Sequence, residues 1–309
     1  MNQLPILIVG TGALASLFAV RLSAAGTPVT MLGTWTAALE AIRREGVRLT
    51  DGRREQAYRV RVTDNPADCA GARFALVLVK SWQTERAARQ LAECLEADGL
   101  AVTLQNGVGN RETLAGTLGL PRVALGVTTT GATLLGPGLV RAGGEGTVSI
   151  EEHARLSPLV ARLREAGFNV QTVPDARTLV WSKLVINAAI NPLTAVLRVP
   201  NGALLQHPAA RALMGDLARE TAEVAAAEGV HLSFPNPLAA AEDVARRTAA
   251  NHSSMFQDVK RGAPTEIDAI CGAVTRTGEK HRIHTPVNRV FWHLVQAIVH
   301  NRNRQLQAA

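Results

Sequence analysis

A chain of 309 residues exceeds the usual size of one domain and suits two. With 47% hydrophobic and 19% charged residues it has too much apolar content to be a disordered protein. A net charge of +7 raises nucleic acid as a partner, but aromatic residues make up only 4% and the arginines are scattered along the chain without a dense basic run except the tail around Arg302 and Arg304, which argues against it.

The uncharged run over residues 4–20 is shorter than the ~20 residues a membrane span needs and is interrupted by glycines, so a buried strand followed by a buried helix is expected, and no membrane association. That strand, predicted over 4–9, leads into Gly10, Gly12 and Ala15 in a GxGxxA pattern. The glycines permit a tight turn and close approach of a pyrophosphate to a helix N-terminus, whose N–H groups and dipole favour anions. Strand before and helix after are the context that gives the motif weight, so Gly10, Thr11, Gly12, Ala13, Leu14 and Ala15 are the expected dinucleotide-binding residues.

Further strands are predicted at 28–32, 74–79 and 100–105, each followed by a Gly turn or an amphipathic segment, which is the alternation of a parallel sheet. At the end of the second strand, where NAD enzymes carry an acid for the ribose hydroxyls, stand Leu32, Gly33, Thr34 and Trp35. The missing carboxylate favours NADPH over NADH. Lys80, one of only four lysines in the chain, ends the strand FALVLVK and either supplies a cation to a 2′-phosphate or is a solvated strand-end residue. Residues 122–150 are β-rich with Gly and Pro and read as extra edge strands; a helix over 155–166 and a strand over 168–173 close the sheet, and Pro174 marks a boundary. Beyond it, 178–198, 208–228, 236–250, 253–261, 264–280 and 286–300 have helical length or spacing. The expected fold is α/β: a Rossmann-type dinucleotide-binding domain over 1–174, then an all-α domain over 175–309, with the active site in the cleft between them.

In LVWSKLVINAAINPLTAVL, Lys183, Asn187 and Asn191 share one sector of an otherwise apolar helix. Burying an ammonium and two amides without partners costs several kcal/mol, so they face either a structural network or a ligand. For ketone reduction Lys183 suits a general acid and oxyanion stabiliser, with Asn187 and Asn191 positioning substrate. Pro192 is expected to kink or break the helix just after Asn191. In NHSSMFQDVKRGAPTEIDAI, Pro264 is expected to open a helix with Glu266 in its first turn, where a carboxylate also complements the helix dipole; Glu266 borders the apolar stripe and so can equally reach a cleft. The cysteines Cys69, Cys94 and Cys271 are odd in number and in no CxxC arrangement, which suits a reducing compartment. His252, His281 and His284 read as surface or helix-end residues without an acid cluster at ligand spacing, so no metal is expected.

Together GxGxxA, VTLQNGVGN, WSKLVINAAINPLTA, VPNG, NHSSMFQDVKRGAPTEID and HTPVN resemble the ketopantoate reductase family over nearly the whole chain and in the family's order. The resemblance implies NADPH-dependent reduction of 2-dehydropantoate to pantoate, a cytoplasmic step of pantothenate and coenzyme A synthesis, by a monomer or homodimer. It implies that Lys183 is the catalytic lysine, that Glu266 takes part in substrate binding and catalysis, and that Asn106 lies beside the nicotinamide. It assigns Asn187, Asn191, Asn201, Asn251 and Ser254 to holding substrate or ordering the cleft, and Lys80 to the adenosine phosphate. At Gly33 and Thr34 the chain departs from the family, which carries an arginine for the 2′-phosphate there. Two alternatives stand beside this reading: a sister reductase of another small 2-keto acid, and a noncatalytic dinucleotide sensor, which would not need Lys183, Asn106 and Glu266 together.

Overall fold

The structure is a computed structural model that describes the backbone of residues 5–308 and side chains as far as residue 301. Leu4 of the predicted first strand and the side chains of Arg302 and Arg304 in the basic tail lie outside the described residues. The chain divides into two compact units, one made of residues up to Gln105 with Asn110–Ala176, the other of Asn106–Gly109 with residues from Arg177 onward.

The first unit is built from strands β1 (Ile6–Val9), β2 (Val29–Leu32), β3 (Val47–Thr50), β4 (Glu55–Tyr58), β5 (Arg61–Thr63), β6 (Ala72–Val77), β7 (Leu95–Thr103), β8 (Val123–Thr128), β9 (Ala132–Gly136), β10 (Leu139–Ala142), β11 (Thr147–Glu151) and β12 (Asn169–Val173). Between them run helices α1 (Ala13–Ala24), α2 (Thr36–Glu45), α3 (Thr84–Cys94), α4 (Asn110–Leu118) and α5 (Ser157–Glu165). Eight strands form the main sheet in the order β12-β11-β8-β7-β6-β1-β2-β5. It is parallel from β5 across to β8, and β11 then runs antiparallel to β8. The central strands are buried on both faces, hence the unbroken apolar runs ILIV and FALV.

A second sheet, β4-β3-β10-β9, corrects the expectation that all of 122–150 adds edge strands to the main sheet. β9 and β10 leave it to pair with β3 and β4, strands absent from the sequence reading. The reason lies in α1. Its residues Ala15–Val20 are all buried, and it packs on β1 and β2 on one side and on β3, β9 and β10 on the other. A helix apolar all round needs cover all round, and the small sheet supplies it through Val47 and Val140, both fully buried.

The second unit consists of α6 (Arg177–Leu197), α7 (Pro208–Ala227), α8 (Pro237–Arg247), α9 (Ser254–Arg261), α10 (Cys271–Lys280) and α11 (Pro286–Ala308). Among the described residues α6 is the one helix long and apolar enough to cross a membrane, but 72% of its apolar window is buried within the protein, as befits a core helix. The expected break at Pro192 does not occur. α6 continues to Leu197 because every residue from Ala188 to Ala195 is packed in the core, which outweighs the one backbone bond the proline removes. The predicted helix over 264–280 is shortened: it begins at Cys271, and Glu266–Ile270 form tight turns closed by Ala269 N→Glu266 O at 3.1 Å and Gly272 N→Ile267 O at 3.0 Å. Ala269 turns its carbonyl to Val108 N instead, at 3.2 Å.

HTPVN has a packing role that the sequence did not reveal. Glu220 of α7, 2% exposed, accepts from Val287 N, Asn288 N and Asn288 Nδ2, each at 2.9 Å. It thereby caps the first turn of α11 from a neighbouring helix, satisfying donors that no residue in α11 itself could reach.

Candidate active site

In the first unit, the strand-to-helix turn is fixed by backbone bonds on either side: Gly10 N donates to Leu32 O at 2.8 Å and Leu78 N to Val9 O at 2.9 Å. Gly10 has φ +130°, and a Cβ there would stand 3.1 Å from the Leu78 carbonyl, so both conformation and space require glycine. Gly12 is the opposite case. It begins α1 without any side-chain cap, and a Cβ on it would meet nothing within 4 Å. An uncapped helix N-terminus with open ground before it fits a pyrophosphate. Ala15 is fully buried, which is why a small residue stands at the end of the motif. Lys80 is half-buried at the start of a short turn over Ser81–Gln83.

That turn is locked to the strand end after β7 by polar side chains that the sequence reading passed over. Gln105 Nε2 donates to Val79 O at 3.0 Å and to Thr84 Oγ1 at 2.8 Å, and Thr103 Oγ1 donates to Gln105 Oε1 at 2.9 Å. Thr84 Oγ1 lies 2.9 Å from Asn110 Oδ1. Gln105 and Asn110 thus anchor both ends of the loop Asn106–Gly109. The signal was in VTLQNGVGN, whose polar residues flank the glycines.

In the second unit that loop docks on the turns before α10. Gly107 has φ +83°, and a Cβ there would stand 2.4 Å from Ala269 O and 2.7 Å from Ala269 Cβ. Only glycine lets the loop sit so close, and the result is that Asn106 Nδ2 donates to Glu266 Oε2 at 3.0 Å. Glu266 is 5% exposed. Lys183 of α6 lies within its electrostatic reach: burial pulls the Lys183 ammonium down to about 8, and the Glu266 carboxylate pulls it back up. A lysine held there gives up its proton readily near neutral pH while still carrying charge. Glu266 sits in a turn, not in the first turn of a helix as expected, so the helix dipole does not account for its place; its partners Asn106 and Lys183 do.

Asn187 follows Lys183 by one helical turn and is half-buried, and Asn191 follows by two and is buried. Thr194 Oγ1 lies 3.0 Å from Asn191 O and 2.7 Å from Ser253 Oγ, and Ser253 caps α9 by accepting from Phe256 N at 3.1 Å. This joins the polar end of α6 to the NHSS segment through Thr194 and Ser253, neither of which was among the candidate residues. Ser254 is exposed at the start of α9. Asn201 acts on backbone and loop: its N donates to Asn251 O at 2.9 Å and its Nδ2 to Thr248 Oγ1 at 2.9 Å, while Asn251 itself is exposed. Lys183, Glu266 and Asn106 are therefore brought together, with Asn187 and Asn191 continuing along the same helix, whereas Asn201 and Asn251 form a separate latch after α8. His281 reads as structural, its Nε2 2.5 Å from Glu228 Oε1.

Two family models match the chain: Ketopantoate reductase PanE/ApbA over residues 6–155 and its C-terminal counterpart over 175–299. A curated 2-dehydropantoate 2-reductase of Archaeoglobus fulgidus is 38% identical over 296 residues, 94% of this chain and 96% of the relative. Among solved structures, a PanE/ApbA family ketopantoate reductase from Ralstonia eutropha superimposes with a TM-score of 0.90 at 33% identity, covering 97% of this chain and 99% of that one. D-mandelate dehydrogenase, in its ternary structure with NADH and anilino(oxo)acetate, gives a TM-score of 0.90 at 25% identity, covering 97% and 99%.

Proposed function

The chain belongs to the ketopantoate reductase family, and from that premise we propose that it reduces 2-dehydropantoate to pantoate, a step of pantothenate and coenzyme A synthesis, with NADPH as the cofactor. The observation that supports this reading best is the triad of Lys183, Glu266 and Asn106: a proton-bearing cation with a lowered pKa, beside a buried carboxylate that an amide holds in place. A nicotinamide dinucleotide, held by the turn Gly10–Ala15, would supply the hydride for this reduction.

The rest is the work of the side chains. Lys183 Nζ holds the proton that the developing alkoxide oxygen takes, and its positive charge stabilises that oxygen before the transfer. Glu266 keeps Lys183 charged in a site whose burial disfavours charge. Asn106 fixes the carboxylate by donating from Nδ2 to Glu266 Oε2. Asn187 and Asn191 position the substrate from the same face of α6. The turn Gly10–Ala15 would hold the pyrophosphate, and Lys80 the adenosine phosphate of NADPH, in a chain whose residues Gly33 and Thr34 offer no arginine to the 2′-phosphate.

A second reading, reduction of another small 2-keto acid, is favoured by the likeness to D-mandelate dehydrogenase. One assay separates the two. Loss of NADPH absorbance on adding 2-dehydropantoate is expected to be fast, slower with NADH and slower with a panel of other 2-keto acids. Lys183→Ala is expected to lower kcat by about a hundredfold to ten-thousandfold while NADPH still binds. Faster turnover of another keto acid would replace the substrate, and full turnover in Lys183→Ala would remove the proposed acid.

A further inference from the structure

We propose that Thr11 determines cofactor selectivity by barring a side chain from position 33, so that this site admits a 2′-phosphate through steric exclusion of the acid that would repel it. The proposal rests on the reading of Gly10–Ala15 as a dinucleotide turn.

Gly33 directly follows β2, at the place where NADH-preferring sites of this architecture carry a carboxylate for the ribose hydroxyls. Its absence here is not a free choice of the sequence. A Cβ on Gly33 would stand 2.6 Å from Thr11 Cγ2 and 3.1 Å from Thr11 Oγ1, closer than carbon atoms approach without something moving. Neither partner can easily give way. Thr11 is 6% exposed and branched at Cβ, which restricts its rotamers. Its turn is tied to the end of β2 by Gly10 N→Leu32 O at 2.8 Å, and Gly33 is tied to β5 by Gly33 N→Thr63 O at 3.0 Å. Thr63 in turn is anchored by its hydroxyl, which donates to Asp68 Oδ2 at 2.6 Å. Backbone on both sides of the contact is therefore pinned, and the Thr11 methyl group fills the ground from which an acidic side chain would start.

The contact also shows how the exclusion can be lifted. Of the three nearest atoms only Thr11 Cβ, at 3.5 Å, remains in Thr11→Ala, and that is an ordinary van der Waals distance. An aspartate at position 33 then has room, and its charge lies where a 2′-phosphate would be.

The test is a calorimetric titration of purified full-length protein with NADPH and with NADH, without keto acid, alongside thermal melts of the free protein. Gly33→Asp alone is expected to melt lower than the wild type and to lose affinity for both dinucleotides, because the clash pushes Thr11 out of the turn. Thr11→Ala with Gly33→Asp is expected to recover NADH binding and to weaken NADPH binding by about tenfold or more through like-charge repulsion. The proposal is overturned if Gly33→Asp alone switches preference with an unchanged melt, since Thr11 then bars nothing. It is equally overturned if the double variant binds NADPH like the wild type, since position 33 then does not face the 2′-position. Should the double variant fail to fold, Gly33→Ala compared with Thr11→Ala/Gly33→Ala reads the steric interlock without a charge: recovery of the melt in the pair supports it, and no recovery overturns it. Wild-type protein that bound neither dinucleotide would overturn the dinucleotide reading itself, and this proposal with it.

Discussion

An ammonium serves as an acid only over the pH range where it keeps its proton, and burial narrows that range for Lys183. Its folded value lies near 8, lowered from 10.5 by desolvation and partly restored by Glu266. The acid form is full below that value and is lost above it. For a general acid, kcat/KM, which reports groups of the free enzyme, should therefore be level toward neutral pH and fall about tenfold per pH unit as pH rises through 8. The sign is diagnostic, because a general base with the same pKa would give a rate that rises. Glu266→Gln removes the group that raises the lysine, so its alkaline limb should move to lower pH. Lys183→Arg, which cannot give up its proton in this range, should be slow and show no such limb. Steady-state pH profiles of the three proteins check this, and a wild-type rate that climbs through pH 8 would remove Lys183 as the acid.

At the scale of elements, the loop Asn106–Gly109 and the turns Glu266–Ile270 depend on one another. Gly107→Ala introduces a Cβ against the Ala269 carbonyl at 2.4 Å and also strains a positive φ, at a cost of about 1–2 kcal/mol for the backbone conformation alone. The loop should lift and carry Asn106 away from Glu266, lowering kcat by about a hundredfold, the cost of a displacement near 1 Å at a reacting centre. Ala269→Gly should not rescue it, because the carbonyl, not the methyl group, is the nearer obstacle; rescue in kinetic assays would mean that the Ala269 methyl group is what keeps a side chain out. This is also where sequence reading reached its limit. The strand–turn–helix at Gly10–Ala15 and the core helix around Lys183 were legible because apolar periodicity and glycine spacing are local signals. The split of 264–280 was not, since it depends on Ala269 pairing with a loop some 160 residues away in sequence, the separation between Asn106 and Glu266. Of the kink or break expected at Pro192, the break is absent for the same reason: tertiary packing of Ala188–Ala195 holds the helix together past the proline. Glu220 gave no local sign, as it acts on another element, and Thr194 gave none of its bond to Ser253.

At the scale of the whole molecule, the four-stranded sheet shows what a sequence pattern implies without stating. The all-apolar α1 needed a second cover, and β3, β4, β9 and β10 are the segments that provide it. The N-terminus of that same helix is the turn proposed to hold the dinucleotide, so the proposal couples ligand binding to the packing of the first unit. A dinucleotide that binds the folded turn and not the unfolded chain adds RT ln(1 + [L]/Kd), about 2.7 kcal/mol at a hundred times Kd. NADPH should therefore raise the melting temperature of the wild-type protein by several degrees, scaling with the logarithm of its concentration. If Lys80 pairs with the 2′-phosphate, Lys80→Ala should reduce the shift given by NADPH and leave the shift given by NADH unchanged. Melts of both proteins with each dinucleotide over a hundredfold concentration range decide it. Equal losses for the two would place Lys80 on a group they share, and an undiminished NADPH shift would take it out of the cofactor site.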